Sequence, residues 1–243
     1  LHDDVVDESY LRRGKKTANK IWGNKASVLV GDFIFTKAFQ VMVDDQDLKV
    51  LQNLSNASKS LAQGEVLQLS LKNNLDIDDE KYFKVIKDKT AKLFSSSAMV
   101  GGIISKCPEE IISKLDKFGN NLGIAFQLLD DALDYECSEN NTGKNVGDDF
   151  KEGKITLPVL LALKKANSSE KAFWKRVIED LDQEKNDFKK AQSLLTKHSC
   201  IGETKTIARE YAKKAEEILK IFPQNIYNRA LVDLTEFVFT RSN

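Results

Sequence analysis

The chain has 243 residues, 41% of them apolar and 30% charged, with 37 basic and 37 acidic side chains and a formal net charge of zero. That length suffices for a sizeable buried core, and the balanced charge argues against a general electrostatic affinity for nucleic acid or anionic membrane. Cys107, Cys137 and Cys200 stand far apart with no CxxC pair, which points to reduced thiols in a cytoplasmic protein, not to a disulfide framework or zinc site.

The chain opens at Leu1-His2-Asp3-Asp4, already inside a motif, and reads as a polypeptide whose N-terminal part is missing. Residues 25–43 are mostly apolar and are expected to form a helix buried on most sides. None of the apolar runs is expected to reach transmembrane length, and no signal peptide is visible. A helix over 47–72 carries Leu48, Leu51, Leu54, Leu61, Val66 and Leu69 at helical spacing. Asp78 or Asp79 is placed to cap the next, through about residue 104. Pro108-Glu109-Glu110 starts another, with proline in the first turn and acids at the positive end of the dipole; it runs to 135 or 137. Residues 138–156, rich in Gly, Asn and charge, read as a loop. Helices are expected again over 157–166, 169–181, 185–197, 203–221 and 224–240. With only three prolines and no sustained period-2 alternation, the fold class is all-α.

One pattern occurs twice: Asp3-Asp4-x-x-Asp7 and Asp130-Asp131-x-x-Asp134. Positions i, i+1 and i+4 of a helix fall within an arc of about 100°, so each triplet is expected to gather three carboxylates on one face. Like charges this close repel and call for a cation. Hard oxygen donors without His or Cys suit Mg²⁺, which keeps several waters and bridges to phosphates. An isolated acidic cluster is most simply a solvated face, and Asp76, Asp78, Asp79 and Glu80 read that way. The second triplet differs, because Phe126, Leu128, Leu129, Ala132 and Leu133 surround it, and carboxylates in apolar surroundings need partners. Gln127 shares its face. Arg12-Arg13-Gly14 suits bidentate phosphate contact, although a surface basic pair is the simpler reading of it alone. Lys89-Thr90 lies mid-helix. Lys144, Asp148 and Lys154 lie in a glycine-containing loop that matches no Walker or dinucleotide fingerprint.

LHDDVVDESYLRRGKKTANKIWGN resembles the first Asp-rich region of the trans-polyprenyl diphosphate synthases, FQLLDDALDYE resembles the second, and GKNVGDDFKEGKITLP is similar to their active-site flap. GDFIF, SLAQGE and KTAKLF fit the segments between. The resemblance covers nearly the whole chain to about residue 165. It implies a single-domain antiparallel helical bundle around a central cavity, of isoprenoid synthase type, over 1–243 and lacking the N-terminal helices. The implied reaction joins an allylic prenyl diphosphate to isopentenyl diphosphate with Mg²⁺, in a homodimer without a transmembrane segment or nucleic acid. Asp3, Asp4 and Asp7 would hold two Mg²⁺, and Asp130 with Asp134 a third. Arg12, Lys89, Thr90, Gln127, Lys144 and Lys154 would contact the allylic diphosphate, and Arg13 isopentenyl diphosphate. Lys89, Asp3 and Asp130 are the implied catalytic residues; His2 is given no metal role. The family's Gly-Lys-x-x-Arg segment precedes the first motif, so a polypeptide beginning at Leu1 is expected to have weak activity or none.

The wording HDDVVDES, without a two-residue insertion between Asp4 and Asp7, is similar to the long-chain synthases that make quinone side chains, such as that of ubiquinone. Phe33, Phe35, Phe39 and Phe94 are candidates for a product tunnel, with plain core packing the simpler reading of each. The helix over 25–43 is a candidate dimer interface. The alternatives are a medium-chain synthase, a class I terpene cyclase, and a non-catalytic subunit of a heteromeric synthase. Cyclases generally carry a second metal motif of another kind, and non-catalytic subunits tend to lose the Asp motifs that this chain keeps.

Overall fold

The computed structural model describes residues 1–12, 14–136 and 147–240. They fall into two compact units, one within residues 1–52 and one formed by 53–136 with the chain from 147 onward. Among the described residues the all-α expectation is met, apart from one minute hairpin.

In the first unit, α1 (His2–Val6) is followed by β1 (Leu11–Arg12) and β2 (Lys15–Lys16), then α2 (Ala18–Trp22) and α3 (Asn24–Asp44). The strands pair antiparallel, Leu11 opposite Lys16 and Arg12 opposite Lys15. Two residues per strand are too few to show alternation, so the sequence gives no sign of them. Gly14 makes the reversal at φ +73°, which a residue without Cβ adopts at little cost. Thr17 Oγ1 donates to Ser9 O (2.8 Å) and Asn19 Nδ2 to Asp4 O (2.9 Å), tying the hairpin and α2 back to α1.

α3 corrects an expectation. It is buried only at Ser27 and Gly31, not on most sides. Leu29, Val30, Phe33, Ile34, Phe35, Val41 and Val43 are all exposed. The small residues are where α1 packs: a Cβ on Gly31 would sit 2.6 Å from the His2 ring, whose Nε2 lies 3.1 Å from both Val28 O and Asp32 Oδ1. The apolar residues occupy the remaining faces. By length and composition α3 is also apolar enough to cross a membrane, which corrects the expectation that no apolar run reaches that length, although Asp32 and Lys37 interrupt it.

α4 (Leu48–Leu71) carries the chain onward, and α5 (Asp79–Ile86), α6 (Lys92–Ile104), α7 (Glu109–Glu136), α8 (Asp148–Lys151), α9 (Leu157–Lys165), α10 (Ser168–Trp174), α11 (Asp187–Lys197), α12 (Cys200–Leu219) and α13 (Ile226–Thr240) follow. The expected helices agree in their boundaries to within a few residues, but α8 is a correction, one helical turn inside residues 138–156, a stretch expected to be a loop. Of the two candidate caps it is Asp78 that accepts from Lys81 N–H at the start of α5. The helix expected through 104 contains a five-residue π-helical turn, Lys87–Ala91, between α5 and α6. Another π turn, Lys175–Glu179, extends α10.

α7 is the spine of the second unit. Ile124, Leu128 and Tyr135 enter a large core with Tyr82, Ile86, Phe150, Val159, Trp174 and Leu195. Phe118, Leu122 and Leu129 enter a second core with Ala215, Leu219 and Val238 from α12 and α13. Phe94 packs into this second core, its ring 5.4 Å from Phe126. Phe33 and Phe35 are exposed. Glycines bring α6 and the π turn onto α7 backbone to backbone: a Cβ on Gly119 would meet Phe94 O at 2.4 Å, and one on Gly123 would meet Ala91 Cα at 2.5 Å. This crossing sets the π turn beside the second Asp motif.

Candidate active site

The second Asp motif lies in the last two turns of α7, in the apolar surroundings its neighbours foretold. The expectation of three carboxylates on one face needs correction. Asp131 turns inward and is 3% exposed, whereas Asp130 and Asp134 are half-buried. The Asp131 carboxylate accepts from the Tyr82 hydroxyl (2.5 Å) on one oxygen and from Gln127 Nε2 (2.8 Å) on the other. A rotation of 100° per residue separates adjacent side chains enough to put one in the core and the other at its margin.

Asp134 accepts from the backbone N–H of Gly147 and Asp149, each at 3.2 Å, which docks the start of α8 on the end of α7. Burial, then the nearby Asp149 charge, pushes the Asp131 carboxyl up to about 8 and the Asp134 carboxyl up to about 7. Asp149 itself is raised to about 6 by burial, a shift opposed first by Lys154. Several carboxylates thus share a volume poor in water. Lys154 Nζ lies 2.9 Å from Glu152 and 3.9 Å from Asp149.

Lys89 and Thr90 project from the π turn, whose extra residue per turn shifts their register. π-helical turns of this kind are frequent at functional sites. Lys89 Nζ is held by Glu65 Oε2 (2.5 Å) and Gln68 Oε1 (2.6 Å) of α4. Gly64 permits the approach, since a Cβ there would lie 2.6 Å from Lys89 N. Thr90 Oγ1 donates to Gln127 Oε1 at 2.8 Å. The second unit therefore brings together Lys89, Thr90, Gln127, Asp130, Asp134 and Lys154 with acids that the sequence reading did not single out.

In the first unit, Asp3 is exposed, Asp4 is 5% exposed, and Asp7 caps the C-terminal end of α1. Arg12 Nε meets Asp4 Oδ1 at 3.2 Å, so the hairpin turns a guanidinium back onto the motif. Arg13 and Lys144 lie outside the described residues, as does Cys137.

Sequence reading missed Glu65, Gln68, Tyr82 and Asp149. Tyr82 gave no local signal: the π turn at Lys87–Ala91 breaks the α-helical register between it and Lys89, and its partner Asp131 stands on another helix. Glu65 and Gln68 lie three apart on α4, a spacing that places them on one face. Among the described residues, no three His, Cys, Asp or Glu side chains converge into a metal cage. That donor set fits Mg²⁺ all the same. This ion demands few protein ligands, one or two carboxylates being completed by water and substrate phosphate, and the crowded acids of α7 and α8 are the kind of oxygen donors it takes.

A family model described as polyprenyl synthetase matches residues 1–195. Octaprenyl diphosphate synthase of Escherichia coli is 44% identical over 244 residues, covering 99% of this chain and 74% of its own length. The crystal structure of a decaprenyl diphosphate synthase from Rhodobacter capsulatus superposes with a TM-score of 0.93 at 46% identity, covering 99% of this chain and 75% of that one. A polyprenyl synthase from Caulobacter crescentus, complexed with calcium and isoprenyl diphosphate, gives 0.95 at 44% identity, covering 99% and 73%. On this agreement of motif, fold and sequence, the chain belongs to the polyprenyl synthetase family and is a trans-prenyl diphosphate synthase.

Proposed function

We propose that the protein condenses an allylic prenyl diphosphate with isopentenyl diphosphate and releases a long-chain all-trans polyprenyl diphosphate that serves as a quinone side chain. The observation that carries this reading is the wall of half-buried carboxylates on α7 beside the amide and hydroxyl of Gln127 and Thr90 and the ammonium of Lys89. Such a wall suits a polyanion arriving with divalent metal. The long-chain product is supported by the likeness to the octaprenyl and decaprenyl enzymes.

Asp3, Asp4 and Asp7 with Asp130 and Asp134 are the proposed holders of Mg²⁺, which when bound would neutralise charge developing on the departing diphosphate. Arg12, Lys89, Thr90, Gln127, Lys144 and Lys154 are the proposed contacts of the allylic diphosphate or its metals, and Arg13 of isopentenyl diphosphate. Lys89, fixed by Glu65 and Gln68, offers a cation already in place, so little reorganisation accompanies reaction. The allylic C–O bond breaks with its electron pair leaving on diphosphate. The isopentenyl double bond attacks the allylic C1, and a proton is lost to the diphosphate. Ordering of both substrates supplies the proximity. We assign the enzyme to the cytoplasm and to a homodimer in which the exposed apolar faces of α3 are buried against each other.

Incubation with isopentenyl diphosphate, farnesyl diphosphate and Mg²⁺, followed by mass spectrometry of the products, tests the reading. Elongation to about eight isoprene units is expected. A ladder stopping at geranylgeranyl length would overturn the long-chain assignment, and no elongation would overturn the activity. Replacing Phe33 and Ile34 by serine should lower the mass found by sedimentation from two chains to one.

A further inference from the structure

We propose that Tyr82 is a positioning residue for the allylic diphosphate, its buried phenol fixing Asp131 and, through Asp131, the amide of Gln127. The proposal rests on the site assignment above and deepens it.

Tyr82 is 3% exposed and sits in α5, outside every motif of the chain. Its hydroxyl donates to one oxygen of Asp131, and Gln127 Nε2 donates to the other. Gln127 Oε1 in turn accepts from Thr90 Oγ1. The four side chains come from α5, α7 and the π turn, and form one directed series of hydrogen bonds. Direction is the important property. An amide has two faces that differ only in which end donates. The Asp131 oxygen that faces Gln127 accepts from Nε2 and holds it on that side, and Thr90 as donor holds Oε1 on the other. One N–H of Gln127 remains for a further acceptor. Thr90 has spent its proton on Gln127, so that amide N–H is the donor the series leaves available to a diphosphate oxygen.

Asp131 can hold Gln127 only while its own carboxylate is held. Its second oxygen is buried and needs a hydrogen-bond partner of its own, which Tyr82 supplies. Without the phenol, the carboxylate is free to rotate about its last torsion and take Gln127 with it.

Tyr82→Phe removes one oxygen and keeps the ring, so the core retains its volume. Binding of farnesyl S-thiolodiphosphate, an unreactive allylic analogue, with Mg²⁺ is read by calorimetry, beside steady-state kinetics in both substrates. We expect Kd and the allylic KM to rise about tenfold, with the KM for isopentenyl diphosphate within twofold of the parent. Gln127→Ala should show the same split, and the Tyr82→Phe/Gln127→Ala double variant should be no worse than Gln127→Ala alone, the non-additivity of residues acting in series. Should Tyr82→Phe fail to fold, Asp131→Ala, which removes both oxygens, breaks the same series and carries the same expectation. Parental binding in Tyr82→Phe while Gln127→Ala is impaired overturns the positioning role and leaves the site assignment intact. Parental binding in Gln127→Ala overturns both. Equal losses toward both substrates, or full additivity in the double variant, mean a general structural role and also overturn the proposal.

Discussion

The two Asp-rich motifs share a sequence pattern and differ in almost everything physical. The first lies on α1, five residues long, and the second on α7, twenty-eight residues long. Asp3 is exposed and Asp4 is partnered by Arg12 from a two-residue strand. Asp131 and Asp134 are held by neutral donors, a phenol, an amide and two backbone N–H groups. A short helix has too few internal hydrogen bonds to hold its own shape, so the first motif depends on the ties from Thr17 and Asn19. The second has its geometry imposed by the core. The same pattern is thus once a locally tethered set of carboxylates and once a preorganised wall.

Removing a carboxylate from either motif gives the largest expected effect. Asp3→Ala and Asp130→Ala should each lower kcat/KM on the order of 10²-fold or more, as for loss of a group that stabilises transition-state charge. Circular dichroism and melting should remain those of the parent, since neither side chain anchors the core. An unchanged rate in both variants would favour the non-catalytic subunit. A loss in one alone would show that the motifs are unequal in chemistry as well as in setting.

A second break addresses the scaffold. Gly119→Ala places a methyl against the Phe94 carbonyl at 2.4 Å and Ser95 Cα at 2.6 Å. Both neighbours are backbone, so helices must move apart, at a cost of about 1–3 kcal/mol. Gly101→Ala, whose Cβ meets nothing within 4 Å, is the matched control and should melt at or above the parental temperature, because alanine is the better helix former. Gly64→Ala pushes on Lys89 N at 2.6 Å and should cost activity while leaving every charge of the site in place.

The pH dependence should separate the motifs further. A carboxyl whose native pKa lies above its unfolded one keeps a proton that the unfolded chain has lost, so stability falls as pH rises through that window. For Asp131 the window runs from 3.8 to about 8 and for Asp134 from 3.8 to about 7. In EDTA the melting temperature should therefore decline between pH 5.5 and 8.5, and Asp131→Asn should flatten the decline. Mg²⁺ with inorganic pyrophosphate should flatten it as well. A flat profile in the parent would show that the acids of α7 are solvated after all.

Most of the helical frame was legible because apolar periodicity and caps act locally. Pro108 and Asp78 mark helix starts by what they do to their own turns. The second motif was legible through its apolar neighbours, and Gln127 through its spacing. What escaped was set by tertiary contact. The inward turn of Asp131 depends on a tyrosine from another helix, and the grip on Lys89 depends on Glu65 and Gln68, twenty-odd residues earlier. The exposure of α3 escaped for a different reason: composition reports that a helix is apolar, and only the structure reports what lies against it.

The smallest expected effects come from a third acidic cluster, which tests whether charge pattern alone means anything. Asp78 and Asp79 are adjacent, both about half exposed, and both carry a lysine partner. Lys164 Nζ reaches both oxygens of Asp79 at 2.6 Å, the better ion pair on distance. Asp78 nevertheless has the structural role, because its Oδ1 accepts from Lys81 N–H at 2.8 Å and satisfies a helix donor that would otherwise go unpaired. Asp78→Ala should therefore cost about 1 kcal/mol. Lys164→Met, which breaks the ion pair and leaves Asp79 in the first turn of α5, should cost roughly 0.5 kcal/mol or less, since exposed pairs are offset by hydration and side-chain entropy. Chemical denaturation resolves the two. If Lys164→Met proved the more damaging, electrostatics at this surface would be stronger than solvent screening permits. The contrast drawn between a solvated acidic face and the buried wall of α7 would then lose its physical basis.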